Sequence, residues 1–517
     1  MAKIEENKRL VLLLAVLALV YSAFFFVKPI NLTTADLGRH ITNGELVVNG
    51  LTDVLYRNFY SYTEPNHEFT NHHWGSGVLF YYIREWFGFK GLSVWYVLMN
   101  LIALIFMVKA SKKNDPLVIP ILVGLSVVSL LAYRVEIRPE GFSYALIAGY
   151  YFSFSKLKSN PDKFKFILPL LLLLQVFWVN IHIFFFLGIT VAGAFWLDTL
   201  INRKDQIKNQ SILVISLVLV SLINPHFHKG LLAPLTIFNE YGYMVAENQT
   251  ILFMHERFGN PELYHFEIFG LLAVVLIILA LIRKLWKENL PDLLLLTSFG
   301  ILSAIAVRGI PLFALFFIPV ATVVIESYLD KLDFKTKQTT FKLLPILGIT
   351  FCVLFTGLKG TYASARKEFQ SLGLIENING CGEFLRKQQI PGRIFNNYDI
   401  GSYLIYHLHH REKVFVDNRP EAYSVAFFDS IYKPMQENDE LWNQKMDEYN
   451  LNVICFFRHD NTPWAQPFLI RRTQDPNWVP IYVDMATLVL IRNRESNRLW
   501  IQRFGIDRSV FRSVPNS

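Results

Sequence analysis

The chain has 517 residues, 52% of them hydrophobic and 18% charged, with a formal net charge of +8. That hydrophobic share lies above the range of soluble globular proteins and excludes an ordinary soluble enzyme or a disordered scaffold. The basic excess falls in short stretches between apolar runs, a pattern that orients a membrane protein and argues against nucleic acid as a partner.

In chain order, residues 10–27 form a charge-free run preceded by Lys3, Lys8 and Arg9 and closed by Lys28-Pro29. No small-x-small cleavage site follows, so the run reads as a retained first helix rather than a signal peptide. Further charge-free runs at 92–108, 117–133, 269–282 and 343–358 approach or reach the roughly 17 to 25 residues that cross about 30 Å of hydrocarbon. Basic clusters lie at Lys3/Lys8/Arg9, Lys109/Lys112/Lys113, 156–165, Arg203/Lys204/Lys208, Arg283/Lys284/Lys287 and 331–342. If each is cytoplasmic, consecutive clusters are joined by hairpins whose tips lie outside, at 31–90, 134–140, 180–182, 224–262 and 307–309. A last helix at 343–358 then carries the C-terminal part outside. The expectation is a multi-pass protein of the cell (inner) membrane with about eleven helices, its N-terminus cytoplasmic and its C-terminal domain extracytoplasmic.

The hairpin at 166–197 is short for two crossings. At 1.5 Å per residue each arm spans roughly 23 Å, less than the hydrocarbon core. Its polar tip, Asn180-Ile181-His182, should therefore sit below the outer surface, in a cavity where partners or water offset its desolvation.

From about residue 360 the long apolar runs stop. Strand-like segments at 393–397, 413–417, 453–457, 479–483 and 488–491 alternate with helical ones at 401–408 and 441–449, predicting an α/β domain. The chain thus divides at 1–359, a transmembrane part with a large first outer loop, and 360–517, a soluble part expected to fold as a compact unit when expressed alone. No glycine-rich phosphate loop follows any predicted strand, which argues against a nucleotide site. Asp417-Asn418-Arg419, just after a strand, fits turn and ion-pair formation better than catalysis. Of the three cysteines, Cys352 falls in an apolar run, while Cys381 and Cys455 could form a disulfide that spacing alone does not support.

Polar residues collect on the predicted outer side: Asp36, Arg39, His40, His72, His73, Arg138, His182, Asn224, His226, Glu247 and Arg308. Ionisable groups at membrane depth are functional candidates because their desolvation must be offset by pairing or water. For Arg138 the bland reading is an ion pair with Glu136 or Glu140; Arg308 has no acidic neighbour in its own segment. Asp36 and His40, four apart, share one face of a short helix, an arrangement suited to proton abstraction or to ligating a divalent metal. Trp74 could stack on a sugar ring or anchor at the interface.

Several strings in order, TTADLGRHITNGELVVNG, YRNFYSYTEPNHEFTNHHWGSGVLFYYI, RPEGFSYAL, WVNIHIFFFLG, LINPHFHKGLL and VRGIPLFAL, resemble bacterial membrane proteins of the GT-C glycosyltransferase superfamily. The likeness is to the branch similar to protein mannosyltransferases and aminoarabinose transferases. FNNYDIGSYL and VFVDNRPEAY resemble the C-terminal region of the same proteins. The resemblance implies an enzyme that transfers a sugar, with inversion, from a polyprenyl-phosphate donor to a lipid or glycan acceptor on the outer face. The superfamily's base is an acidic residue in the first outer loop, and Asp36 is the matching position. The chain departs from its relatives at Asn58 and His73, where a carboxylate is frequent, so the base rests on Asp36 alone and a non-catalytic or metal-assisted variant stays open. This reading assigns no certain cofactor and allows a divalent metal at Asp36 and His40. Arg138 and Arg308, with His182, would stabilise the departing phosphate, and His40, His72, His73, Trp74, Asn224 and Glu247 would line the substrate site. The competing classes are a transporter or flippase, for which the chain lacks a repeat of its halves, and an assembly protein whose outer domain binds a partner.

Overall fold

The computed structural model describes residues 2–111, 117–134, 136–237, 241–258, 261–332, 344, 347 and 371–511. The predicted helix at 343–358, with Cys352, and the 359/360 boundary lie outside the described residues.

Among those residues, seven helices are long and apolar enough to cross a membrane. They include α1 (Ala2–Phe26) and, beyond the amphipathic α2 (Leu37–Val48), α3 (Trp74–Ala110). The shorter α4 (Val118–Ser126) and α5 (Val128–Leu131) and the more polar α6 (Glu140–Ser159) occupy the next predicted crossings. α7 (Phe164–Ile181) and α8 (Phe186–Asn202) form the short hairpin, followed by α9 (Ile207–Val220). Two short helices, α10 (His228–Thr236) and α11 (Ile251–Phe258), precede α12 (Pro261–Ile282), α13 (Trp286–Ile305) and α14 (Ile310–Leu329). α14 is apolar on every side and 94% of its spanning window is buried, as expected of the helix at the centre of a bundle.

The segment at 31–90 is more ordered than its composition suggests. Residues 74–90 are helical and continue into the apolar span, with a break at Gly88, whose φ of 64° suits glycine. α2 packs directly on α3 because Gly44 and Gly77 face each other: a methyl group on Gly44 would collide with the Gly77 carbonyl, and one on Gly77 would come within 2.7 Å of the His40 carbonyl. That close crossing sets His40 beside His73.

The C-terminal part is built on a four-stranded sheet in the order β1-β2-β4-β3: β1 (Arg393–Asn396), β2 (Leu451–Phe457), β3 (Trp478–Val483) and β4 (Thr487–Arg492). β1 and β2 are parallel and the other pairs antiparallel. α15 (Gly380–Gln388), α16 (Gly401–Leu408), α17 (Asp439–Glu448) and α18 (Ala465–Gln474) accompany it. The predicted strand at 413–417 does not join the sheet. Val414 bridges Ser61 in the segment at 31–90, and the Asn396 side chain takes up the Phe415 N–H and the Val416 carbonyl.

The loop between the first and second apolar spans and this domain share a core. Leu37, Ile41, Val54 and Tyr60 are buried in one cluster with Ile394, Tyr403, Ile405 and Val453. Arg419, 1% exposed, makes a two-pronged pair with the buried Asp417 (2.7 and 2.6 Å), donates to Asn58 Oδ1 (2.9 Å) and lies over the rings of Tyr60 and Phe69. Asp417 and Arg419 are therefore an ion pair, as their sequence context suggested, and through Asn58 Arg419 also clasps the loop. Residues 30–60 thus supply part of the interior of this domain.

Candidate active site

Between the membrane helices and the C-terminal domain lies a cavity of about 1240 Å³. Asp36 reaches it from the residue before α2. Its Oδ2 is 3.3 Å from Arg138 Nη1, and its Oδ1 is 4.0 Å from Arg39 Nη2. Arg138 and Arg134 come from the turn between α5 and α6. Arg138 also pairs with Glu136 (2.6 Å) and Glu247 (3.1 Å), and Arg134 with Glu247 (2.7 Å) and Glu140 (3.4 Å). Arg308, in the turn between α13 and α14, donates to Asn248 Oδ1 (2.8 Å), lies 3.6 Å from Glu140 and sits over the Phe184 ring. Four arginines and four carboxylates thus interlock on the membrane side of the cavity. Burial works against an ionised Glu247, but Arg134, Arg138 and Arg308 outweigh it and hold its carboxyl well below the usual carboxylate range.

The short hairpin does what its arm length requires. α7 stops at Ile181, and His182, 1% exposed, lines the cavity with Nδ1 2.8 Å from Ser143 Oγ, which also accepts from Trp178 Nε1. His40, His72 and His73 line the same cavity. Ring centroids lie 5.2 Å apart for His40 and His73, 4.0 Å for His72 and His73, and 5.1 Å for His73 and His182. Burial, reinforced by Arg39 beside His40 and by neighbouring imidazoles beside His72 and His73, pulls these three below the ordinary imidazole range, His72 to about 3. They are neutral at physiological pH and suited to exchanging hydrogen bonds with hydroxyl groups.

Asp36, Arg138, Arg308, His182, His40, His72, His73 and Glu247 all reach the cavity. Trp74 and Asn224 do not. Trp74 donates to Asn180 Oδ1 (3.0 Å), and Asn224 closes its own turn through Ser221 O, Phe227 O and His226 N. Among the described residues, no three His, Cys, Asp or Glu side chains are grouped as a metal site. Asp36 faces guanidinium groups on both sides, so a cation held by Asp36 and His40 would meet like charge.

Sequence reasoning missed the far wall. Asp399, Glu421 and Asp460 line it, together with Tyr398, Asn418 and Trp464. Burial, then Asp460, Glu136 and Asp36, push Asp399 up to about 8, and burial raises Glu421. Asp460 is held by Asn397 (2.8 Å) and Thr462. The signal was available: Asp399 and Glu421 lie within FNNYDIGSYL and VFVDNRPEAY. Asn418 braces this wall against the first loop, donating to the carbonyls of Thr34 (3.3 Å) and Asp399 (3.0 Å).

No protein-family model and no curated protein sequence matches the chain. Among solved structures, it superposes on the archaeal oligosaccharyltransferase AglB from Archaeoglobus fulgidus in complex with an inhibitory peptide and a dolichol-phosphate, with a TM-score of 0.60 and 11% identity over 92% of this chain and 74% of that one. The Archaeoglobus fulgidus oligosaccharyltransferase tethered with an acceptor peptide gives a TM-score of 0.62 and 11% identity over 94% and 74%. ArnT from Cupriavidus metallidurans bound to undecaprenyl phosphate gives 0.51 and 12% over 93% and 97%. The chain shares the fold of these structures. That fold is a polytopic helical membrane part with a C-terminal domain, and here the C-terminal domain carries a small mixed sheet.

Proposed function

We propose that this chain is a membrane glycosyltransferase that moves a sugar from a polyprenyl-phosphate donor to a lipid or glycan acceptor, with the cavity on the outer face and the N-terminus cytoplasmic. The observation that carries this reading is the Asp36 carboxylate, held at the mouth of α2 in a cavity whose membrane-side wall is rich in arginine. The structures of similar fold that hold dolichol-phosphate or undecaprenyl phosphate support the donor class. So does an apolar flank of the cavity formed by Ile237, Met244, Phe253, Phe258, Ile305 and Leu312, suited to an isoprenoid chain.

In the proposed reaction the acceptor hydroxyl oxygen attacks the anomeric carbon while its proton passes to Asp36. The bond from the anomeric carbon to the phosphate oxygen breaks, and its electron pair leaves on the polyprenyl phosphate. Arg138 and Arg308 stabilise that charge by hydrogen bonds from preorganised guanidinium groups, and the neutral imidazoles of His40, His72, His73 and His182 orient sugar hydroxyls. Attack from the face opposite the phosphate inverts the configuration.

Asp36→Asn keeps the side chain's shape and leaves Arg138 its pairs with Glu136 and Glu247. Transfer should slow by about 10²- to 10⁴-fold with little change in donor binding. The measurement is transfer from a panel of radiolabelled polyprenyl-phosphate sugars by the purified, reconstituted protein. A variant that transfers at the wild-type rate would remove Asp36 from the role of base.

A further inference from the structure

The C-terminal domain brings together two cysteines that lie 74 residues apart in the chain. Cys381 is the second residue of α15, and Cys455 lies within β2, paired with Asn396 on β1 and Val489 on β4. Both side chains are 0% exposed, and their sulfur atoms are 3.1 Å apart. Leu385, Val453, Ile481 and Val489 belong to the same buried cluster, with Tyr403 and Asp484 nearby. Two thiols in such surroundings do not make up a zinc site, which takes four ligands. Nor do they gain much from each other, because a thiol is a weak donor and a weak acceptor. The geometry does suit a covalent bond. Closing the gap to about 2.05 Å needs a shift of roughly 1 Å, within reach of small side-chain rotations.

We propose that Cys381 and Cys455 are joined by a disulfide in the native protein, fastening α15 to the central strand of the sheet. The proposal rests on the outward placement of this domain given above, since disulfides persist in oxidising compartments and not in the cytosol. In forming the bond the two thiols release two protons and two electrons. The acceptor is a disulfide-bearing thiol oxidoreductase, whose own disulfide becomes a dithiol as the new S–S bond forms. The step precedes closure of the core, because neither sulfur is accessible afterwards. The bond has a consequence at the cavity. β2 runs directly into Phe457, His459 and Asp460 on the far wall, so the staple fixes the strand that presents them.

The test uses the full-length protein, alkylated in denaturant without reductant, digested and examined by mass spectrometry. The expected result is a peptide containing Cys381 linked to one containing Cys455, with Cys352 alkylated. Reduction should then lower the unfolding temperature by roughly 5 °C or more, and a Cys381→Ala/Cys455→Ala protein should show the lower value and no response to reductant. Alkylation of both Cys381 and Cys455 without prior reduction would overturn the proposal. A separate arm identifies which premise failed. Glu495→Cys in a background lacking the native cysteines places a thiol at a side chain 83% exposed, for an impermeant maleimide added to intact cells. Labelling there, with Cys381 and Cys455 found free, leaves the outward placement standing and the pairing wrong. Labelling only after the membrane is breached shows that the placement itself was wrong.

Discussion

Glu247 gives the reading of the arginine wall its sharpest test. It bridges Arg134 at 2.7 Å and Arg138 at 3.1 Å, so it competes with any phosphate for the same guanidinium groups. Glu247→Gln keeps the shape and removes the charge. A phosphate bound on the far side of Arg138 would lie about 7 Å from the lost carboxylate, and at an effective dielectric of about 20 the relieved repulsion is about 2 kcal/mol. Affinity for undecaprenyl phosphate should therefore rise by about 10- to 30-fold. The fold should be weakened by less than the roughly 3 to 5 kcal/mol of a wholly broken buried pair, because Arg134 keeps Glu140 and Arg138 keeps Asp36 and Glu136. Binding is read by tryptophan fluorescence of the detergent-solubilised protein, with thermal unfolding measured on the same samples. A folded variant that binds the lipid phosphate no better than wild type, or more weakly, would refute the assignment of Arg138 to the donor.

Two further expectations concern the C-terminal domain. Arg419→Met leaves Asp417 buried and unpaired and should lower stability by about 3 to 5 kcal/mol in chemical unfolding, whereas Arg419→Met with Asp417→Leu should recover much of it. Asp399 has its folded pKa pushed up to about 8, against about 3.9 in an unfolded chain, so the folded state binds the extra proton across that window. Stability from this group is therefore full below pH 4 and falls as pH rises from about 4 to 8, with a slope of at most about 1.4 kcal/mol per pH unit. Asp399→Asn should flatten that fall in unfolding curves taken between pH 5 and 9; an unchanged slope would show that Asp399 does not titrate there.

The parts of this architecture legible in the sequence are those set by local rules. The charge-free runs at 10–27 and 92–108 fall within or along α1 and the second half of α3. The shortness of the 166–197 hairpin forced His182 inward, and α16 falls at 401–408 because its periodicity is strong. What stayed hidden depends on distant partners. The first half of α3 reads as loop because Arg84, Glu85 and Lys90 interrupt it, yet those charges suit a surface helix that continues into a span. Residues 413–417 have strand composition, but their backbone partners are a side chain and the first outer loop. Arg308 has no acidic neighbour in its own segment because its carboxylate, Glu140, comes from another helix.

The two walls of the cavity differ in a way that bears on the direction of the proposed reaction. On the membrane side Arg39, Arg134, Arg138 and Arg308 stand against Asp36, Glu136, Glu140 and Glu247, so charge is balanced and an arriving phosphate finds guanidinium groups that can exchange partners at little cost in desolvation. On the far wall Asp399, Glu421 and Asp460 lie close enough for Asp460 to raise the Asp399 pKa. Those carboxyl groups offer a phosphate no cation to pair with. A donor whose isoprenoid chain stays in the apolar flank would therefore keep its phosphate toward the arginines and point its sugar across the cavity, past Asp36. An acceptor approaching from the C-terminal domain would meet the anomeric carbon on the face away from the phosphate, the geometry that inversion requires. The loop after the first helix ties the bundle to the domain, and so one wall to the other, through the hydrogen bond from Arg419 to Asn58.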